Sequence, residues 1–302
     1  QKRSVTVKKD DKVIYLEVGN TVGSVNGKEL TIDVPPIIYP KNNRTYIPAR
    51  FVAESLGKEV LWDASTRSVL IADKENYNQV QDILTKSNEA MKSVNKYKFQ
   101  LESYSKVSQD QFKMEYGIDM NAEIDEAGKA VHMATTLDML GIKLESEFYL
   151  KDGYSYTKNT ETGEWKKEVL SESQFEELFK SNSEIISIKE QDIGILSAGM
   201  VVTKSDNPDE IIIKGDVLLS DYMNAFSSDL GATGKLTDGM SMDDLRMELI
   251  IDKNTYYMKG IAMSFEGKIA QEIGGGQLGM KFDFDISDFN GDFEIVVPQE
   301  AQ

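Results

Sequence analysis

The chain has 302 residues, 40% of them hydrophobic, a formal net charge of −17 and no cysteine. That length exceeds one comfortable core, so two domains are expected, and the apolar share is ample for globular packing. The missing cysteines exclude disulfide frameworks, thiolate nucleophiles and Cys-ligated metals.

The charge is unevenly spread. Residues 1–72 hold 11 Lys+Arg against 8 Asp+Glu, a net of +3, and the remainder holds 23 against 43, a net of −20. A domain that acidic repels nucleic acid and anionic headgroups, so no nucleic-acid partner is expected. No apolar run approaches the ~18 residues that span a bilayer. Gln1-Lys2-Arg3 opens the chain without an apolar h-region, so any export signal is expected to be already removed or never to have existed.

Residues 4–8 and 13–18 are rich in β-branched and aromatic side chains and read as strands. Asn26-Gly27, between VGSV and KELTID, is the dipeptide of a type I′ hairpin turn. Pro35-Pro36 breaks the run, Ile37-Ile38 resumes it, and Lys41-Asn42-Asn43 forms a loop whose asparagines tolerate positive φ. Pro48 suits the first turn of a helix of about three turns, and Gly57 suits its left-handed close. Phe51, Val52 and Leu56 form its inward stripe, with Arg50 and Glu54 at the rim. VLW and SVLIA return as two short strands around Asp63 to Arg67.

Taken together, Asn26-Gly27, Pro35-Pro36, Arg44-Thr45, Pro48, Arg50-Phe51, Glu54, Leu56-Gly57, Val60, Trp62-Asp63 and Arg67 closely resemble the copper amine oxidase N-terminal-like (stalk) domain of bacterial surface proteins, over about residues 13–72. Asn43 stands where that family often has glycine, and asparagine is the next-best left-handed residue. The resemblance implies an exported, non-catalytic accessory module and nothing about copper, because the family's oxidase chemistry needs several histidines and this chain has only His132.

From Tyr77 the apolar residues recur as Tyr77, Val80, Ile83, Leu84, Ala90, Met91 and Val94, the period of a long amphipathic helix. The domain boundary is therefore placed at Asp73–Glu75, giving domains of residues 1–73 and 76–302. The period then drops to two: Tyr97, Phe99 and Leu101; Phe112, Met114, Tyr116, Ile118, Met120, Ala122 and Ile124; Ile142, Leu144, Ser146 and Phe148. Asp152-Gly153 and Thr162-Gly163 supply turns, GEWKKE follows, and Ser171 with Gln174 forms a capping box for the helix SQFEELFK. Helices are expected around 185–196 and 217–230, with VVTK and EIIIK as strands between them. LRMELIID, YYMKGIAMSF, GMKFDFDI and FEIVV return to strands. This order predicts an α+β chain: a small β-rich first domain with one short helix, then a curved antiparallel sheet with helices on its concave face.

The segments SNEAMKSVNKYKFQL, FYLKDGYSYTKNTETGEWKK and FNGDFEIVVPQEAQ also resemble a family of Firmicutes lipoproteins related to LolA-like lipoprotein carriers, over roughly residues 76–302. That resemblance implies a half-barrel whose interior suits an apolar ligand and carries over no catalytic motif.

Three patterns in the sequence offer candidate chemistry. Ser93-Val-Asn-Lys96 and Ser205-Asp206-Asn207 match the S-x-x-K and S-D-N boxes of penicillin-recognising enzymes, but Ser93 falls near the end of a helical pattern and no K-T-G follows. Asp283, Asp285, Ser287 and Glu294 fit an EF-hand-like register, but Asp288 stands where glycine is needed, and the alternation of Phe282, Phe284 and Ile286 reads as a strand. His132 alone builds neither a zinc site nor a nucleophile–base pair. No enzyme, cofactor or tightly bound metal is expected. The many methionines, among them Met120, Met133, Met139, Met200, Met247, Met258, Met263 and Met280, fill a core or line an adaptable apolar site.

The resulting expectation is a non-catalytic Gram-positive surface or secreted protein, possible anchoring being through a residue upstream of Gln1. Its partners are a lipid or other apolar molecule and a cell-wall component. Ile83, Leu84, Met91, Phe99, Met114, Tyr116, Phe148, Met223 and Phe226 form the expected ligand lining. A structural or adhesive protein whose interior is filled by its own side chains is the alternative, and an enzyme of unknown class comes third.

Overall fold

The computed structural model describes residues 3–64, 67–109, 112–183, 188, 190–217, 240–269 and 275–302. The chain divides into two compact units, residues 1–79 and 80–302.

In the first unit, β1 (Ser4–Lys9), β2 (Lys12–Glu17), β3 (Val22–Val25) and β4 (Lys28–Thr31) form one antiparallel sheet in that order. Asn26 and Gly27 take φ of 50° and 83°, the paired left-handed geometry a type I′ turn requires. Two hairpins follow, β5 (Ile37–Tyr39) with β6 (Arg44–Tyr46) and β7 (Lys58–Asp63) with β8 (Ser68–Asp73). Asn43, directly before Arg44, has φ of 53°, so asparagine holds the left-handed position there.

Helix α1 (Ala49–Ser55) lies between the hairpins and has seven residues, about two turns rather than the expected three. Pro48 caps it from outside the first turn, with φ −67° and ψ 98°, because its ψ is still extended. Gly57 at φ 77° closes the helix as expected. Phe51, Val52 and Leu56 pack on Ile14, Leu16 and Ile32, the buried centre of this unit. Arg50 donates to the Val60 carbonyl at 2.7 Å and lies 3.5 Å from Glu54, so the rim side chain ties α1 to β7.

Helix α2 (Lys74–Met91) carries the chain onward. The second unit is built on one open antiparallel sheet of eleven strands. These are β9 (Lys96–Gln109), β10 (Phe112–Asp125), β11 (Ala130–Met139), β12 (Ile142–Lys151), β13 (Tyr154–Lys158), β14 (Trp165–Val169), β15 (Met200–Thr203), β16 (Glu210–Val217), β17 (Met240–Asp252), β18 (Met258–Ile269) and β19 (Gly276–Ser287). Their spatial order is β14-β13-β12-β11-β10-β9-β19-β18-β17-β16-β15. The last long strand thus closes against the first, with Phe282 opposite Ser103 and Ile286 opposite Phe99.

One face of this sheet is apolar and takes the helices. Val80, Ile83 and Leu84 of α2, Phe175 and Phe179 of α3 (Glu172–Ser183), and Ile193 and Leu196 of α4 (Ile193–Gly199) join one buried cluster with Tyr97, Phe99, Leu101, Ile124, Val131, Leu150, Ile213, Leu249 and Phe284. The capping box forms as read: the Gln174 N–H donates to Ser171 Oγ at 3.3 Å and the Ser171 N–H to Gln174 Oε1 at 2.9 Å. The expected helix at 185–196 begins only at Ile193, after a single 3-10 turn at Glu190–Asp192, in the part described. The expected helix at 217–230 lies outside the described residues except for Val217, which ends β16.

Phe282, Phe284 and Ile286 are buried while Asp283 and Asp285 are exposed, so β19 is a strand with one wet face. FEIVV is a correction: it forms no strand, because residues 293–297 cross the outer face of the sheet without entering a ladder. Ile295, Val297 and Ala301 bury themselves there against Ala130, Tyr149 and Tyr156. Lysines satisfy the tail carbonyls, Lys96 donating to Phe293 O at 2.9 Å and Lys151 to Ile295 O at 2.7 Å.

Candidate ligand-binding face

The ladder register sorts every inward side chain into rows that cross the strands. In the rows under the helices, Phe99 stands opposite Ala122 and Ile286, and Phe148 opposite Met133. Ile83, Leu84 and Phe99 are fully buried there, with Met91 and Phe148 packed half-buried against the same cluster. Met91 is also fixed by its sulfur, which accepts the Met258 N–H at 3.4 Å. These five expected lining residues meet as a closed core.

Met114 and Tyr116 lie farther along β10, half-buried, on the same face but outside that cluster. Met223 and Phe226 lie outside the described residues.

Beyond the helix-covered rows the inner face stays apolar and opens. One row runs Phe265, Met280, Ser105, Tyr116, Met139, Ile142, and the next runs Phe282, Ser103, Ile118, Leu137, Leu144. Exposure rises along both: Phe265, Phe282 and the two serines are buried, whereas Met139 is 38%, Leu144 40% and Ile142 64% exposed. Ser105 Oγ is buried without a hydrogen-bond partner. A hydroxyl in an apolar wall without a partner is costly to bury. Sequence reasoning names Met139 only among the methionines of a core or adaptable site, and Leu137 and Ser105 escape it. The alternation through residues 131–139 was the available signal, diluted by Thr135, Thr136 and Asp138.

The outer face carries polar features. His132 Nδ1 lies 3.3 Å from Glu123 and Nε2 3.3 Å from Glu147, and the ring stacks on Tyr149 at 4.2 Å. Burial pushes both carboxyls up, but hydrogen bonds outweigh it, from Lys98 and His132 on Glu123 and from Tyr149 and His132 on Glu147. Both are held below the usual glutamate range. Among the described residues no group of three or more His, Asp or Glu side chains is placed to hold a metal ion, and no helix is long and apolar enough to cross a membrane. Hollows of about 400, 670, 320 and 270 Å³ open on this outer face.

An open antiparallel sheet with helices packed on one apolar face, and an apolar end that no helix among the described residues covers, places the second unit in the half-barrel class. The chain belongs to a family of unknown function, DUF6612, whose profile matches residues 79–302. Residues 1–71 match the copper amine oxidase N-terminal domain. No curated protein matches the chain. Among solved structures it is similar to LprF from Mycobacterium bovis (12% identity, 74% of this chain and 98% of that one, TM-score 0.44). It is also similar to the lipoprotein LppX of Mycobacterium tuberculosis (11%, 72% and 99%, 0.41) and to the LolA superfamily protein NE2245 of Nitrosomonas europaea (8%, 73% and 96%, 0.20).

Proposed function

We propose that this chain is a non-catalytic protein of the Gram-positive cell surface, secreted or lipid-anchored, whose second unit holds a lipid or other apolar molecule on the open end of its inner face. The row from Ser105 through Tyr116 and Met139 to Ile142 carries this reading. It spans three strand spacings, about 14 Å, and grades from a buried unpaired hydroxyl to an exposed apolar end. An acyl chain laid along it would place a neutral ester oxygen toward the Ser105 end and its methylenes over Tyr116, Met139 and Ile142. At about 0.8 kcal/mol per buried CH₂, roughly ten methylenes reach the scale of a micromolar Kd. Met114, Met139 and Met280 suit a flexible chain because methionine adapts its shape. The acidic surface favours a neutral, zwitterionic or cationic head.

The closed core around Ile83, Leu84, Met91, Phe99 and Phe148 supports the alternative, a structural or adhesive protein. Native mass spectrometry and displacement of a fluorescent fatty acid separate the two. Binding by the intact protein that is lost in Leu144→Glu and Ile142→Glu supports the carrier reading. A folded protein that binds nothing in either assay supports the structural one.

A further inference from the structure

We propose a second site on the opposite face of the sheet, an open trough across β16, β17, β18, β19 and β9 that takes an acidic glycan. Three of the outer hollows are continuous. The first shares Arg246, Ser264 and Lys281 with the central one, and the third shares Lys106, Glu266 and Gly279 with it. The five strands set the trough's length at about 19 Å, longer than a bare ion or a single sugar.

The central hollow, about 670 Å³, gathers Lys106, Arg246 and Lys281 against one carboxylate, Glu266, in a chain whose net charge is −17. Register aligns Arg246, Ser264, Lys281 and Tyr104 in one cross-strand row. An acid group above the Ser264 hydroxyl would be met by a guanidinium on one side and an ammonium on the other. Arg246 is only loosely engaged, 3.7 Å from Asp216 with both side chains largely exposed, and Lys281 has no carboxylate partner among the described residues. Lys106 is held 3.3 Å from Glu115, and in the first hollow Lys214 pairs with Glu248 at 2.9 Å beside Asp283, so Arg246 and Lys281 are the least engaged cations of the central hollow. Tyr104, exposed at the row's end, offers an aromatic face to the C–H side of a pyranose.

Gly279 forms the floor. It sits inside β19 between Glu266 and Lys106, where glycine weakens a strand, and a Cβ added there would meet nothing within 4 Å. The space above it is kept open by the absence of a side chain.

The test is calorimetric titration of the full chain with trigalacturonate, its neutral methyl ester, glucose 6-phosphate and inorganic phosphate, repeated on Lys281→Gln and Gly279→Leu. Saturable, salt-sensitive binding of trigalacturonate, weakened at least tenfold by both variants, is the expected result. Equal binding of glucose 6-phosphate, of inorganic phosphate or of the ester overturns the proposal, as does failure of trigalacturonate or indifference of the variants. Unchanged circular dichroism and melting of Gly279→Leu separate blockage from misfolding. None of these readouts uses the inner face, so the site stands or falls apart from the apolar ligand.

Discussion

The Lys151 ammonium donates to the Ile295 carbonyl oxygen at 2.7 Å, joining the last turnless stretch of the chain to a strand 144 residues earlier. The bond orients a side chain that is almost completely buried, since Ile295 packs among Ala130, Tyr149 and Tyr156. Ile295→Ala should lower the stability of the second unit by about 2–5 kcal/mol, the range for a truncated core isoleucine. Urea unfolding measures it, and a loss below about 0.5 kcal/mol would mean the tail is not fastened there.

Ser105→Ala should do the reverse for stability and damage binding. Removing a buried hydroxyl without a partner relieves a desolvation penalty of roughly 1–3 kcal/mol, so the variant should unfold at equal or higher urea concentration. The same variant should bind ester-bearing chains less tightly while a plain alkane probe is unaffected. Equal loss for both probes would show that the hydroxyl is not read.

Met91→Glu tests whether the helix-covered rows are core. Its sulfur accepts the Met258 N–H and its side chain packs on the buried cluster, so a carboxylate there should cost roughly 2–5 kcal/mol. Leu144→Glu, at an exposed position, should leave the melting temperature nearly unchanged. Similar losses in the two variants would contradict the distinction between the closed and open ends.

Acid should weaken the fold through Glu123 and Glu147. Both folded carboxyls titrate below the usual value of 4.5, so the unfolded chain binds the more protons. Their contribution is whole above pH 4.5 and is lost as the pH falls through the depressed values. Glu123→Gln with Glu147→Gln should flatten the acid limb of stability against pH. An unaltered limb in urea titrations would place the acid sensitivity elsewhere.

Gly23→Val addresses the first unit. A Cβ there would lie 2.9 Å from Leu16 Cδ2 and 3.1 Å from the Tyr15 carbonyl oxygen. Overpacking of this kind typically costs about 1–3 kcal/mol. A fragment of residues 1–79 should fold alone and show the loss; a fragment without dispersed NMR signals would deny the unit its independence.

Local chemistry was the legible part of the sequence. Asn43 announced its left-handed turn, Ser171 and Gln174 their capping box, and Phe282, Phe284 and Ile286 their buried face. Partnership was not legible. FEIVV has the composition of a strand, and nothing in its residues says that β19 already occupies the place beside β9. For the same reason periodicity found Phe99 and Phe148 but could not say whether the inward face would be filled or open at a given row. That depends on which rows the helices α2, α3 and α4 pack against, a matter of partnership that no single stretch of residues states.

The eleven-stranded sheet never closes on itself, so among the described residues it presents two unpaired edges, β14 and β15. Both are blunt. β14 has five residues, with Lys166, Lys167 and Glu168 at its centre, and β15 has four. A neighbouring chain seeking to extend the ladder would find a charged stretch at one end and too few amide groups at the other. At its described edges the half-barrel can therefore stay open while offering little template for a further strand.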